Sequence, residues 1–362
     1  MRTFTLKWGQ RKIRFSDRMI TEEEDRKWWI LPLILGVYML PFAQGDYPIY
    51  LMNQIGIAII GAVSLDILCG FCGQLSLGHA AFLAIGAYSY GILHMTFHVA
   101  PLVSILGAGV AGALSSLLIG IPSLRLKGLY LAIATMGFTF IVDEAIRFFS
   151  VWTHGVEGFR ITRMVAVGSM ELHSGKVGFY YFLYTLVIAV VVFSRFLLHS
   201  KLGRAFTSIR DSETAAEVSG VNLLLHKVLA FAISSFFAAI AGALMGIVIG
   251  TISPEDFSIL LSINFLVMLV IGGMGAVYGA VIGAFFITFL PEWITSLRDA
   301  FLPLGTDTAI LQYLVYGSII LIFIVFEPHG IYGRWLVIKA YFKRFPFNEK
   351  RVGRVAWIRR WR

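Results

Sequence analysis

Few residues in this chain could do chemistry, and most of them stand in apolar surroundings. Cys69-Gly-Phe-Cys72 has the spacing of a redox dithiol, but such a pair normally opens a helix in a βαβ domain, and no such pattern surrounds it. The histidines at 79, 94, 98, 154, 173, 199, 226 and 329 show no metal-ligand spacing with cysteines or acids. His94 and His98 stand at i, i+4 with no third ligand in sight. Asp143 and Glu144 fall at i, i+4 and i, i+3 to Arg147 on one helix, close enough to compensate one another. Asp66 is an acid near the end of an apolar run, a costly placement that is often functional in membrane segments. No Gly-x-x-x-x-Gly-Lys-Ser/Thr occurs; Ser174-Gly175-Lys176-Val177 lacks both the earlier glycine and the hydroxyl residue. The chain is therefore expected to hold no metal and no cofactor, to bind no ATP by a P-loop, and not to be an enzyme.

What positions these residues is read from composition. Of 362 residues, 58% are hydrophobic and only 14% charged, against roughly 45 to 50% and about 25% in soluble domains. At about 20 residues per crossing this supplies on the order of ten transmembrane helices and leaves little for a soluble domain. The fold class expected is an all-α integral membrane protein. The hydropathy places spans at 28–43, 49–68, 79–97, 101–120, 129–149, 178–197, 228–250, 258–271, 276–290 and 309–326. They give a transmembrane domain over 28–326, between a basic leader (1–27) and a basic tail (327–362).

Charge orients these spans. With both ends cytoplasmic, the inside segments are the termini, the glycine-interrupted joints near Gly73 and Gly273, and the loops 122–128 and 199–227. Of the 30 Lys and Arg, 25 then fall inside and 5 outside, the bias of the positive-inside rule. An error by one span would put the basic Lys201 loop on the wrong side. The aromatic-basic tail 341–362 suits anionic lipid headgroups, at about 1 kcal/mol per basic residue near the surface, better than nucleic acid.

Two segments invite a functional reading. Cys69 to Gly78 holds three glycines in ten residues between apolar spans. A helix broken there leaves backbone groups that must be buried in protein or face a water-filled cavity, so it is a candidate substrate site. Gln74, Ser76 and His79 are the nearest polar side chains, either lining a translocation path or holding the joint by interhelical hydrogen bonds. Gly272-Gly-Met-Gly275 either breaks a helix likewise or packs helices closely through small residues. The loop 199–227 contains a short helix capped by Asp211 or Ser212, with Glu213 in its first turn and Gly220 at its left-handed end. Ala215 and Ala216 leave one side of it nearly bare, so it either docks into a groove of a soluble partner or is merely solvated.

Several stretches resemble one family: 73–88 (Gly-Gln-Leu-Ser-Leu-Gly-His-Ala-Ala-Phe-Leu-Ala-Ile-Gly-Ala-Tyr), 124–135 (Leu-Arg-Leu-Lys-Gly-Leu-Tyr-Leu-Ala-Ile-Ala-Thr), Arg210-Asp-Ser-Glu213 with Ala215-Ala216, and 250–257 followed by Ile271-Gly-Gly-Met-Gly275. They are similar to permease subunits of bacterial branched-chain amino acid ABC importers of the LivM type, over roughly residues 48 to 292. The resemblance implies a type II ABC importer permease fold with a Gly-rich broken-helix joint, in the bacterial inner membrane, importing branched-chain or related amino acids by alternating access. It implies a second, LivH-like permease, two ATPase subunits that bind the ATP, and a periplasmic substrate-binding protein. Arg210, Asp211, Glu213, Ala215, Ala216 and Gly220 would form the coupling helix on the ATPase. His154, Gly155, Glu157 and Gly158, in the long outer loop, would be a shelf for the binding protein or else a tether. A stand-alone carrier or channel for small polar solutes such as urea or amides is the other reading.

Overall fold

The computed structural model describes residues 3–8, 11–16, 45–120, 126, 128–161, 166–167, 170–171, 177–301, 317–318, 321 and 330–344. The chain divides into two units. In the first, Thr3–Trp8 (β1) and Arg11–Ser16 (β2) pair antiparallel, with Thr3 opposite Ser16. The second, Asp46–Arg334, carries the membrane helices.

Those helices are Asp46–Leu65 (α1), His79–Gly91 (α2), Pro101–Ser115 (α3), Leu129–Phe148 (α4), Val177–His199 (α5), Lys201–Asp211 (α6), Glu213–Val218 (α7), Leu223–Ile249 (α8), Ile259–Gly272 (α9) and Val277–Phe301 (α10); Gly330–Arg344 (α11) follows. Asp66–Phe71 continues α1 as a π-helical turn, and Ile92–Thr96 does the same after α2. Among the described residues, seven helical stretches are long and apolar enough to cross a membrane: 47–71, 101–120, 129–148, 177–199, 223–249, 254–272 and 277–296. They match seven of the ten expected spans. The stretch expected at 79–97 is helical from His79 to Thr96 but is not among the seven. The span expected at 28–43, that at 309–326 apart from 317–318 and 321, and most of the basic tail lie outside the described residues.

α8 is the axis of the second unit and packs against α1, α2 and α3. Its small residues let neighbouring backbones approach, the usual basis of helix association where lipid removes a hydrophobic driving force. A Cβ on Gly242 would collide with the Leu83 carbonyl of α2, and one on Gly86 with the Ala239 backbone of α8. α9 and α10 close on each other likewise, with Gly272 against Gly279 and Gly283.

The region 199–227 is more ordered than expected. A single short helix was anticipated, but α6 precedes it and α8 starts at Leu223 rather than Val228. The reason is capping and amphipathicity. Ser200, Ser212 and Asn222 each accept the third backbone N–H of the helix that follows, from Gly203, Ala215 and Leu225. α6 buries Gly203, Ala205, Phe206 and Ile209 and exposes Lys201, Arg204 and Ser208. Arg210 and Asp211 consequently belong to the last turn of α6, not to the short helix.

Candidate functional site

The chain is not helical from 72 to 78, between the π turn and α2. Two of the backbone amides at this break are met by side chains from other helices, and two more within the segment itself. Thr135 of α4 accepts the Leu77 amide at 2.9 Å, and Ser262 of α9 accepts the Ala80 amide at 2.8 Å. The Gln74 amide reaches back to the Leu68 carbonyl at 3.1 Å, and Gly78 donates to the Ser76 hydroxyl at 3.3 Å. Gly73 takes φ +73°, and its α-carbon face lies against Arg210.

The three polar residues singled out in the sequence are all buried here. His79 Nε2 lies 3.0 Å from the Gly61 carbonyl and 3.1 Å from the Ser64 hydroxyl, while its ring meets Phe265 edge-on at 5.2 Å. Its Nδ1 has no hydrogen-bond partner, a buried polar atom without compensation. Gln74 and Ser76 are likewise inside, and the face the break turns outward consists of Gly73 and Leu75. Cys69 and Cys72 are both buried and both free.

Sequence reasoning missed Thr135 and Ser262, whose only signal is a hydroxyl on an apolar helix. Replacing Thr135 with valine keeps the shape and strands the Leu77 amide in the interior. The expected cost is about 1 to 3 kcal/mol, read as a lowered thermal midpoint of the purified protein. Thr135→Ser should recover most of it.

The second break follows α9. Gly273 and Gly275 have φ +114° and +82°, and the Gly275 amide donates to Asp66 Oδ1 at 2.7 Å. Asp66 is thus buried in the protein, joining the two glycine segments. Arg210 Nη1 donates to the Gly70 carbonyl at 2.9 Å. Glu213 accepts from Lys227 Nζ at 2.7 Å, in an ion pair whose lysine is 1% exposed. The short helix α7 ends as its sequence suggests: Gly220 takes φ +84° and Val221 N–H bonds the Ala216 carbonyl. Its outward residues are Thr214, Ala215, Glu217 and Val218, the last 89% exposed, whereas Ala216 is buried at 2%.

The segment after α4 is a compact turn. Thr153 donates to the Ile146 carbonyl at 2.6 Å, His154 sits at φ +60°, and Gly155–Glu157 forms one 3₁₀ turn. Phe159–Arg160 (β3) then pairs antiparallel with Thr251–Ile252 (β4), which ties this turn to the end of α8. His154 and Glu157 are exposed, Gly158 is half-buried and Gly155 is buried. Asp143 and Arg147 pair at 3.2 Å as their spacing predicts. Among the described residues no cluster of His, Cys, Asp or Glu could hold a metal ion.

The picture is of buried polar joints inside an apolar helical body, with a charged helical hairpin, α6–α7, between two membrane helices. Comparison with known proteins agrees. Residues 47–324 match the family model for the branched-chain amino acid transport system / permease component. The chain is 28% identical to the high-affinity branched-chain amino acid transport system permease protein LivM of Salmonella typhimurium, over 84% of this chain and 75% of the relative, and equally to LivM of Escherichia coli. It is 27% identical to the Escherichia coli permease protein LivH over 41% of this chain and 44% of that one. No solved structure matches it. The chain is a multi-pass membrane protein and belongs to the branched-chain amino acid transport permease family.

Proposed function

We propose that this chain is one permease subunit of an ATP-driven importer in the bacterial inner membrane, moving branched-chain or related amino acids inward by alternating access. The observation that carries this reading is the α6–α7 hairpin. It is a capped, charged element between two apolar helices, and it presents Ala215 and Val218 outward on a helix whose other exposed residues, Thr214 and Glu217, are polar. An exposed apolar tip on a polar loop is the kind of surface a soluble partner covers.

In this reading both termini and the hairpin face the cytoplasm, about ten helices cross the membrane, and ATP is bound and hydrolysed by two partner subunits, one of which docks on α7. A second, LivH-like permease completes the path. Gln74, Ser76 and His79 act on that path from within, by holding the first break so that Gly73 and Leu75 border it. His154, Glu157 and Gly158 receive a periplasmic binding protein, which selects the solute. The basic termini rest on anionic lipid.

The test is uptake of radiolabelled leucine into liposomes holding this chain, its partner permease and the ATPase subunits, with the binding protein supplied on the appropriate side. Uptake is expected only with ATP and all the subunits. Equal uptake by this chain alone would favour the stand-alone carrier or channel instead.

A further inference from the structure

Three segments remote in sequence meet at one point beside the first break. The π turn contributes Asp66 and Gly70, the loop after it Gly73, α6 contributes Arg210, and the second break contributes Gly275. Each contact satisfies a backbone group that a break has released. The Gln74 amide bonds Leu68, so the Gly70 carbonyl lacks its helical donor and accepts from Arg210 Nη1 at 2.9 Å instead. The Gly275 amide, outside α9, is taken by Asp66 Oδ1 at 2.7 Å. There is no slack between these groups. A Cβ on Gly70 would touch Asp66 Oδ1 and come within 2.6 Å of the Gly275 nitrogen. One on Gly275 would lie 3.1 Å from Arg210 Nη1 and 3.2 Å from the Gly70 oxygen, and one on Gly73 2.8 Å from Arg210 Cγ.

The same junction is held a second time three residues on, where Glu213 of α7 pairs with buried Lys227 of α8. Arg210 additionally faces Asp211 at 3.4 Å, a partly exposed pair of little energetic weight. Its contact with Gly70 is different in kind: a charge-assisted hydrogen bond to a buried carbonyl with no helical donor, and a buried backbone group left without a partner is costly. A shift of the hairpin that keeps this bond carries Gly70 along, and Gly70 is packed closely enough against Asp66 and Gly275 to disturb both.

We propose that Arg210 is the pin that transmits hairpin movement to both glycine breaks, a positioning residue rather than one that contacts solute or ATP. This rests on the reading of α6–α7 as the segment that docks the ATPase. The hairpin moves with its partner, Arg210 pulls on the first break, and Asp66 passes the displacement to the second, so the two sides of the path change together.

The experiment uses the full transporter in liposomes and measures two quantities, solute taken up and ATP hydrolysed per solute. Arg210→Met removes the donor but keeps the aliphatic stem. The expected result is full copurification of the ATPase subunits, uptake lowered at least tenfold, and more ATP hydrolysed per solute. Arg210→Lys retains a cationic donor and should restore at least half of the coupled uptake. Uptake within twofold of the unsubstituted protein in Arg210→Met would overturn the proposal, and so would reduced uptake at an unchanged ATP-to-solute ratio, the mark of a merely structural loss. If Arg210→Met does not assemble, Arg210→Gln, which lacks the charge and the reach, decides: a raised ATP-to-solute ratio supports the pin, an unchanged one overturns it. Failure of the underlying docking reading is distinguishable, because it would show as ATPase retention by the Ala215→Arg variant, whatever the Arg210 variants do.

Discussion

Replacing Ala215 with arginine is expected to abolish retention of the ATPase subunits while the permease itself stays folded. Ala215 lies on the exposed side of α7, beside Val218. A long charged side chain there adds volume where the partner must approach and places an unpaired charge in the contact. Residues at the centre of an interface commonly contribute 2 kcal/mol or more, so affinity should fall at least about 30-fold. Val218→Asp should act in the same direction. Copurification from membranes reads the loss, and an unchanged size-exclusion profile and thermal midpoint show that the fold persists. Ala216, which the bare-sided helix of the sequence seemed to offer equally, is a poor probe. It is 2% exposed and packs into the core cluster, so a charge there would damage the permease itself. ATPase retention by the arginine-215 protein would remove the hairpin from the coupling role.

Replacing Gly242 with leucine should remove the folded protein altogether. The first carbon added would already overlap the Leu83 carbonyl of α2, and backbone cannot swing aside as a flexible side chain can. Overpacking usually costs about 1 to 3 kcal/mol when side chains can adjust. Here α8 and α2 must separate along their contact, and α8 is the helix against which α1, α2 and α3 all pack. The expected readout is loss of the monodisperse peak in detergent. Gly137→Ala on α4 is the control: nothing lies within 4 Å of the position its Cβ would take, so expression and stability should be unchanged. A monodisperse Gly242→Leu protein would mean that α2 and α8 are not in backbone contact.

These two positions show what was legible in the sequence and what was not. Runs of apolar residues locate membrane helices because length and hydropathy are local properties, and seven spans follow from them directly. Capping is local too, which is why Ser212, Glu213 and Gly220 could be assigned to the ends of a short helix from their types alone. α6 was missed although its apolar residues at 205, 206 and 209 recur at helical spacing; the abundance of charge around them made the segment read as loop. The partners of the breaks were not legible, because Thr135 and Ser262 lie 58 and 182 residues from the amides they satisfy. Arg210 was noticed as part of the coupling segment, and its neighbours along the chain gave no sign that its guanidinium also reaches a carbonyl 140 residues away. Asp66 looked anomalous for want of its partner, a glycine amide 209 residues further on.

The way the first break is held has a consequence for how such sequences diverge. Its amides are met by single hydroxyl oxygens on α4 and α9, and serine and threonine supply that oxygen equally well. Drift between those two types should pass unpunished at 135 and 262, whereas alanine or valine should be purged there, although both suit a lipid-facing helix. Remote relatives would then share a pair of hydroxyl positions rather than a pair of letters.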